Sequence, residues 1–147
     1  MIDSVVGTYA LNANLTTQIP FDGTVPQITE GTEIISVSIT PKSVTNKLRV
    51  RFSGYGCTSA AQNIISAVFR DAIASALFAT PVRADAADSP RQIVGEFEFV
   101  PATTSAVTIR LRVGPGGGVT LRLNGTTSTF GFGGIEKTTL IVEEIKA

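Results

Sequence analysis

The second half of the chain is built from short segments in which apolar and polar residues alternate, and this pattern limits the folds available to it. The segments are residues 91–100, 107–113, 119–123 and 138–145, and runs rich in glycine, proline and threonine separate them. Alternation with a period of two residues is typical of β-strands with one buried face. Closely spaced strands of this kind predict an antiparallel sandwich or barrel.

The first half of the chain adds further segments of the same kind. Residues 32–40 and 47–53 alternate in hydrophobicity, whereas residues 54–61 have small side chains and are predicted to form a loop. Residues 62–70 also fit an amphipathic helix, but their β-branched and aromatic side chains favour a strand. Residues 72–82 are equally mixed, since alanines favour a helix and the neighbouring segments favour a strand. In total we predict an all-β antiparallel sandwich of about eight to ten strands.

The length of the chain suits one domain. Its 147 residues can bury a core without a disulfide or a metal ion. The sequence shows neither a linker nor a repeat of fixed period. We therefore predict one head domain over residues 19–147. Residues 1–18 alternate only weakly and are predicted to be a lead-in or an edge strand.

The chain carries few charged side chains for a domain surrounded by water. Charged residues make up 16% of the sequence, against about 25% in typical soluble domains. Large apolar surfaces usually mark contacts with other molecules. Both faces of segment 138–145 are apolar, which places it between its own core and a second surface. We predict that four of its residues form a subunit interface: Leu140, Ile141, Val142 and Ile145.

The composition excludes several kinds of chemistry. The sequence has no histidine, so Ser-His-Asp and Cys-His catalytic groups and histidine metal sites are impossible. Its 12 basic residues balance 12 acidic ones, whereas nucleic-acid binding needs a net positive field. No run reaches the ~18 apolar residues of a membrane helix, and the N-terminus lacks the pattern of a signal peptide. We predict no cofactor, no nucleic-acid partner and no membrane insertion.

Several short motifs, taken in order, resemble a known family. They are IPFDGTVPQ at residues 19–27, ITPKS at 39–43, NKLRV at 46–50, VTLRLNG at 119–125 and IVEEIKA at 141–147. Their order and spacing resemble those of the C-terminal, receptor-binding tip domain of phage tail fibres. The resemblance implies a homotrimeric jelly roll, related in shape to the heads of tumour necrosis factor and complement proteins.

The same resemblance implies a function. Such a domain forms the distal tip of a virion fibre and binds a receptor on the bacterial host. Its partners would be other virion fibre proteins and a host cell-surface glycan or outer-membrane component. It would be assembled in the host cytoplasm and reside in the virion. Two alternatives remain: a purely structural trimerisation knob or head or collar fibre component, and a glycan-cleaving tip.

Segment 124–130 is the part of the chain best suited to receptor contact. The residues expected to bind are four with hydroxyl groups and one aromatic: Thr126, Thr127, Ser128, Thr129 and Phe130. Hydroxyls exchange hydrogen bonds with a sugar, and an aromatic ring offers a face for stacking. A flexible turn without a ligand fits the same residues equally well. The nearby Phe132 is predicted to be buried framework.

A count of strand directions assigns the loops to the two ends of the predicted sandwich. Counting back from segment 138–145 places four loops at one end: 124–134, 101–106, 71–74 and 41–46. The resemblance implies that the C-terminus lies at the stem end of the fibre. These four loops are therefore predicted to form the outer tip.

One pair of acidic residues raises the question of catalysis. Glu96 and Glu98 lie two residues apart on one predicted strand, so their carboxylates should be about 6–7 Å apart. That separation suits an inverting glycosidase. The alternative, which we favour, is a solvated face on which these carboxylates pair with Arg110 and Arg112 of a neighbouring strand. The protein is therefore predicted not to be an enzyme.

Two further acidic residues and the single cysteine carry weaker signals. Asp85 and Asp88 offer carboxylate oxygens for Ca²⁺ but lack the spaced ligand set of a calcium loop, so we predict a solvated loop and no metal site. Cys57 has no histidine to activate its thiol. It is predicted to be a small packing residue.

Overall fold

In the computed structural model the chain is a sandwich of two antiparallel β-sheets, as the sequence predicts. The structure describes residues 1–126 and 130–147. The strands are β1 (Asp3–Tyr9), β2 (Asn14–Leu15), β3 (Thr32–Ile39), β4 (Lys47–Thr58), β5 (Gln62–Arg70), β6 (Phe78–Ala84), β7 (Arg91–Phe99), β8 (Val107–Pro115), β9 (Leu121–Leu123) and β10 (Thr138–Ile145). A short 3₁₀ segment, Gly131–Gly134, precedes β10. Within the described residues, no helix has the length and hydrophobicity needed to cross a membrane.

The strand order is that of a jelly roll. One sheet has the order β3-β8-β5-β6. The other has the order β1-β10-β4-β7, and β9 and β2 extend it beside the second half of β4. The β5–β6 hairpin lies at the centre of a nested set, because β4 pairs with β7 and β3 pairs with β8 around it. This nesting of antiparallel strands across two packed sheets defines the jelly roll.

Strands β9 and β10 lie end to end along one side of β4 and run in the same direction. β9 pairs with residues 56–58 of β4, and β10 pairs with residues 47–53. The two strands therefore behave as one interrupted strand of the sheet. Segment 124–137 leaves the sheet between them and returns to the same edge.

The ends of the sandwich are fixed by contacts between loops. The Asp71 N–H donates to Thr108 O at 2.8 Å, which joins loop 71–74 to the chain after loop 101–106. Ile145 pairs with Lys47 directly after loop 41–46, so the C-terminus lies at this same end. At the opposite end, the Asn124 N–H donates to Tyr55 O at 2.9 Å.

The described residues of segment 124–134 therefore lie at the end opposite the C-terminus, while the other three loops lie beside the C-terminus. The prediction that all four loops share one end is wrong. The count assumed that every strand reverses direction, whereas β9 and β10 share one direction. The count also predicted that this segment lies at the end away from the C-terminus, and its described residues do lie there.

The main core lies between the two sheets and follows the predicted alternation. Leu48 and Val50 of β4 and Ile109 and Leu111 of β8 are fully buried there, with polar neighbours pointing outward. β10 lies centrally in its sheet, between β1 and β4. Its Leu140 and Val142 belong to the same core and have no exposed surface.

Strand β5 is buried on both faces, which explains its ambiguous sequence. Ile64 and Val68 face the main core. On the opposite face, Ile65 and Phe69 pack against Ile19 in a second apolar cluster. The chain between β2 and β3 thus crosses the outside of this sheet and covers β5. The prediction of a strand rather than a helix over residues 62–70 is confirmed.

Strand β4 extends further than the sequence predicts. Residues 54–58 were expected to be loop but continue the strand to Thr58. Gly54 points into the sandwich, where an added Cβ would lie 2.5 Å from Thr138 Oγ1. The small residues here permit close packing between strands; they do not mark a turn. Only residues 59–61 form the loop to β5.

The N-terminal segment belongs to the sandwich. β1 pairs with β10 along its whole length, from Asp3 opposite Glu144 to Tyr9 opposite Thr138. It forms the edge of the six-stranded sheet. β2 then pairs with β9, so β1 and β2 follow the two parts of the interrupted strand.

Candidate functional site

An apolar cleft lies at the end of the sandwich opposite the termini. It has a volume of about 580 Å³, and its lining is mostly aromatic, glycine and proline: Tyr55, Pro90, Thr126, Phe130, Gly131, Phe132 and Gly133. Phe130 is 42% exposed and Phe132 is 79% exposed. Two aromatic side chains with this much exposed surface at one cleft form a ready-made contact surface.

The structure places two of the five predicted receptor-binding residues in this cleft. Thr126 and Phe130 both line it. Thr127, Ser128 and Thr129 lie outside the described residues, so their part in the site stays a prediction. The choice of this segment as the candidate site therefore rests on its first and last members.

Phe132 was predicted to be buried framework, and this is wrong. Its backbone has the left-handed angles φ 48° and ψ 42°, which turn the side chain out of the 3₁₀ segment. The buried member of the segment is Gly131. A Cβ at Gly131 would overlap the Tyr55 hydroxyl. The glycine thus lets the loop lie directly on the Tyr55 ring, and Phe132 remains at the surface.

Asn124 anchors the loop that carries these aromatics. It has no exposed surface, and its amide group donates to Tyr9 O at 2.8 Å and to Leu11 O at 3.0 Å. Its Oδ1 accepts a hydrogen bond from Thr138 Oγ1 at 3.0 Å. Its carbonyl accepts from the Gly131 N–H at 3.1 Å. With φ at 60°, Asn124 also occupies the left-handed region that asparagine tolerates better than most residues.

A second set of contacts joins this loop to the loop before β7. The Cys57 thiol lies 3.6 Å from Gly125 O and 3.7 Å from Asp88 Oδ1. Arg122 Nη1 contacts the same Asp88 oxygen at 3.3 Å. Two residues further on, Pro90 lines the cleft. The thiol and carboxylate therefore hold the two walls of the cleft together.

Cys57 is fully buried, as predicted for a packing residue. Burial raises the pKa of its thiol, and the charge of Asp88 raises it further. Because the neutral thiol is favoured, Cys57 is a hydrogen-bond donor to the loops and is poorly suited to act as a nucleophile.

A smaller and more polar pocket adjoins the cleft. Its volume is about 230 Å³, and it shares Tyr55, Pro90 and Phe132 with the cleft. Arg91, Gln92 and Glu136 supply its polar groups. Arg91 is engaged, since its Nε donates to Arg83 O at 3.1 Å and its Nη1 to Pro90 O at 3.0 Å. An apolar platform with polar groups at one edge can bind an amphipathic molecule such as a sugar.

Tyr55 offers a spectroscopic probe of the cleft. Burial raises the pKa of its hydroxyl above 10.0, and the charges of Glu136 and Cys57 raise it further. The raised pKa favours the neutral phenol in the folded state. Its contribution to stability is therefore fully present below the unfolded pKa and is lost as pH rises through the folded pKa.

A Tyr9→Phe variant would leave Tyr55 as the sole tyrosine, since the chain has 2. We expect its phenolate absorbance in the folded protein to titrate with a midpoint above 10.0, the ordinary pKa of a tyrosine. The same variant in denaturant is the control and should titrate at that ordinary pKa. An equal midpoint in both states would show that Tyr55 is not desolvated under the loop.

The acidic pair on β7 is engaged with basic side chains of β4. Arg49 contacts Glu98 at 2.8 Å and Glu96 at 3.6 Å. Cross-strand ion pairing was expected, but the expected partners were wrong. Arg110 and Arg112 lie on β8 in the other sheet, whereas β4 is the only strand that pairs with β7 in the described chain.

The arginines of β8 act within their own sheet. Arg110 Nη1 contacts Glu33 of β3 at 3.3 Å. Arg112 donates to Glu30 O at 2.7 Å and to Gly31 O at 2.9 Å. These bonds fasten the segment that covers β5, so the role of Arg112 is structural.

The described residues contain no group of three or more acidic, cysteine or histidine side chains arranged to hold a metal ion. Asp85 contacts Arg83 at 3.6 Å. Asp88 is held by Arg122 and Cys57 and is part of the framework of the cleft. The carboxylate oxygens of these two residues therefore have cationic or thiol neighbours already.

The outer face of the six-stranded sheet forms a second exposed surface. Val6 and Ile141 lie opposite each other on β1 and β10, and Ile141 lies opposite Arg51 of β4. A shallow depression of about 460 Å³ adjoins them, with Val94 on its far side. Of the four predicted interface residues, only Ile141 and Ile145 retain exposed surface; Leu140 and Val142 are enclosed by the protomer's own core.

No protein-family model and no curated protein matches the sequence. Among solved structures, the chain is similar to the VP2 subviral particle of infectious bursal disease virus, with 13% identity and a TM-score of 0.45, over 99% of this chain and 38% of the other. It is also similar to latent PorU from Porphyromonas gingivalis, with 11% identity and a TM-score of 0.44, over 99% and 13% of the two chains. A third similar structure is the insecticidal delta-endotoxin Cry8Ea1 from Bacillus thuringiensis, with 13% identity and a TM-score of 0.39, over 82% and 20%. The chain thus spans between 13% and 38% of the length of these proteins, and at such low identity the likeness carries no conclusion about function.

Proposed function

We propose that this chain is a homotrimeric tip domain of a virion fibre that binds a glycan on the bacterial host surface without cleaving it. The observation that carries the proposal is the aromatic cleft at the end opposite the termini. Phe130 and Phe132 are both exposed there, on a loop that Asn124 fixes to the sandwich. Binding residues often lie on loops that a rigid scaffold positions.

The chemistry of the cleft suits a sugar. Aromatic rings pack against the apolar face of a pyranose, and the Thr126 hydroxyl and the polar groups beside Tyr55 can exchange hydrogen bonds with its hydroxyls. One such site would bind weakly, because it buries little area. Three linked sites in a trimer gain on the order of 10²–10⁴ in avidity.

The glycan-cleaving alternative has less support. Glu96 and Glu98 lie on the outer sheet face, where Arg49 contacts both carboxylates. A general acid needs a raised pKa and a general base needs room for a water molecule. Both carboxylates already form ion pairs with Arg49, an arrangement typical of a solvated sheet face and not of an acid and a base that flank a substrate.

The structural-knob alternative has one observation in its favour. The apolar surface at Val6, Ile141 and Val94 suits subunit contact, and an assembly role needs nothing more. A glycan array with the purified domain separates the two functions. Binding to any bacterial polysaccharide supports the tip. The structural knob is supported if the domain binds no polysaccharide and if substitutions in the cleft leave the attachment of virions to cells unaltered.

The cleft itself is tested by replacing both Phe130 and Phe132 with alanine. We expect adsorption of the domain to host cells to fall by about 30-fold or more, which corresponds to about 2 kcal/mol for a contact residue of this kind. The melting temperature should change little, because both rings are exposed. Adsorption is measured by depletion of labelled protein from a cell suspension.

A Phe21→Ala variant is the matched control. Phe21 is 61% exposed but lies in the segment that covers β5, away from the cleft. It should adsorb like the parent. Equal adsorption by the double variant and the control would move the receptor site away from the cleft.

A further inference from the structure

The loop that carries the cleft interrupts a single strand. The pairing register of β9 with β4 brings Asn124 opposite Tyr55, where its N–H donates to Tyr55 O. The register of β10 with β4 brings Thr138 opposite Gly54. Consecutive positions of β4 are thus paired with residues that are separated in sequence by segment 125–137. The two registers differ by 13 residues, which is the length of that segment.

The two ends of the segment are close in space and tied to each other. Neighbouring positions on a strand lie about 3.4 Å apart along the strand axis, and Thr138 Oγ1 lies 3.0 Å from Asn124 Oδ1. The Asn124 amide also bonds Tyr9 O and Leu11 O, so the base is fastened to the neighbouring edge strand. All of these contacts lie outside segment 125–137.

The described part of the segment contributes little to the core. Two of its glycines are buried: Gly125, whose carbonyl lies 3.6 Å from the Cys57 thiol, and Gly131, which packs on the outward-facing Tyr55. Its larger apolar side chains are exposed, with Phe132 at 79% and Ile135 at 77%. Neither apolar core cluster includes a described residue of the segment. Removing it would therefore leave the sandwich interior intact.

We propose that segment 125–137 is a separable specificity segment: it determines which receptor the domain binds, and the sandwich folds without it. This inference rests on the proposed function for its receptor part but not for its folding part. The structural reason is that the segment enters and leaves at adjacent positions of one strand, so its length and side chains can vary without altering the sheet register. The ligand class is the one proposed above, a cell-surface glycan.

The test compares three variants with the parent. In the first, two glycines replace residues 125–137. In the second, the same 13 residues are present in scrambled order, which preserves length and composition. In the third, two glycines replace loop 101–106 at the opposite end, as a control for loop shortening. Folding is followed by thermal melts in circular dichroism, and binding by an array of bacterial surface polysaccharides.

We expect the shortened and scrambled variants to keep the β-sheet spectrum and to melt within about 4 °C of the parent. Both should lose binding by at least about tenfold, while the 101–106 control keeps it.

Failure of the shortened variant to fold would overturn the inference, because the segment would then be part of the fold. A scrambled variant with the parent's glycan preference would also overturn it. If the parent binds no glycan, the proposed function fails, while the melts still decide whether the segment is separable.

Discussion

Replacing Asn124 with alanine is expected to destabilise the fold by about 3–4 kcal/mol. The substitution removes two hydrogen bonds to Tyr9 O and Leu11 O and leaves the buried Thr138 hydroxyl without its acceptor. The total includes about 1 kcal/mol of backbone strain, because alanine at φ 60° lacks the polar side chain that makes this region tolerable for asparagine. Domains of this size are stable by about 5–15 kcal/mol, so the loss is a large fraction. Urea unfolding, followed by circular dichroism, measures it.

An Asn124→Gly variant separates the two contributions. Glycine also lacks the hydrogen bonds but adopts positive φ without strain. It should therefore be more stable than the alanine variant by about 1 kcal/mol while remaining well below the parent. Alanine and glycine variants that both match the parent would show that the side chain of Asn124 does not anchor the loop.

The regular parts of this fold could be predicted because burial on one face leaves a period of two in the sequence. Segment 138–145 has the bounds of β10, and segments 32–40 and 107–113 correspond closely to β3 and β8. In β3 and β8 the buried side chains are apolar, whereas β10 buries Thr138 and Glu144 beside its apolar Leu140 and Val142. The alternation reflects the packing of the two sheets directly, so local sequence was sufficient.

Features that depend on distant chain segments could not be predicted in this way. Both faces of β5 are apolar because Ile19, more than forty residues earlier, covers its outer face. Residues 54–58 resembled a loop because Gly54 accommodates Thr138 and Gly56 accommodates Leu121 and Arg122, all far along the chain. The direction of β9 relative to β10 depends on the strand with which each of them pairs. Counting strand directions along the sequence gives no information about strand pairing.

The candidate site was predicted in part for a similar reason. Hydroxyl groups and an aromatic ring in one loop were the basis for choosing Thr126 and Phe130, and both line the cleft, while their role in receptor binding stays a prediction. The other residues of the cleft come from elsewhere, since Tyr55 lies on β4 and Pro90 precedes β7. A proline between a serine and an arginine, and a tyrosine between two glycines, give no local signal of a shared surface. Phe132 was misplaced because its exposure depends on a left-handed backbone that the sequence does not reveal.

The outer face of the six-stranded sheet is the surface on which we expect subunits to meet. Its exposed apolar residues include Val6 at 59% and Val94 at 55% exposure, with Ile141 between them in the sheet order. The charges on this face largely neutralise one another, because Arg49 pairs with Glu98 and Arg51 with Glu143. Interfaces commonly combine an apolar centre with a polar rim, and pairing makes the rim charges less costly to cover than unpaired ones. This composition favours contact with a second copy of the chain.

Replacing Ile141 with aspartate is therefore expected to convert a trimer into monomers. The parent should have about three times the 15.4 kDa mass of a protomer in light scattering. A carboxylate at position 141 would be buried between subunits at a cost of roughly 3–5 kcal/mol for each copy. In the free protomer it would lie beside Arg51 and remain solvated, so the melting transition of the monomer should survive.

Val44→Asp is the control, since Val44 is 51% exposed on loop 41–46, away from this face, and that variant should stay trimeric. A monomeric parent would refute the assembly, and a trimeric Ile141→Asp variant would place the subunit interface on another face of the sandwich.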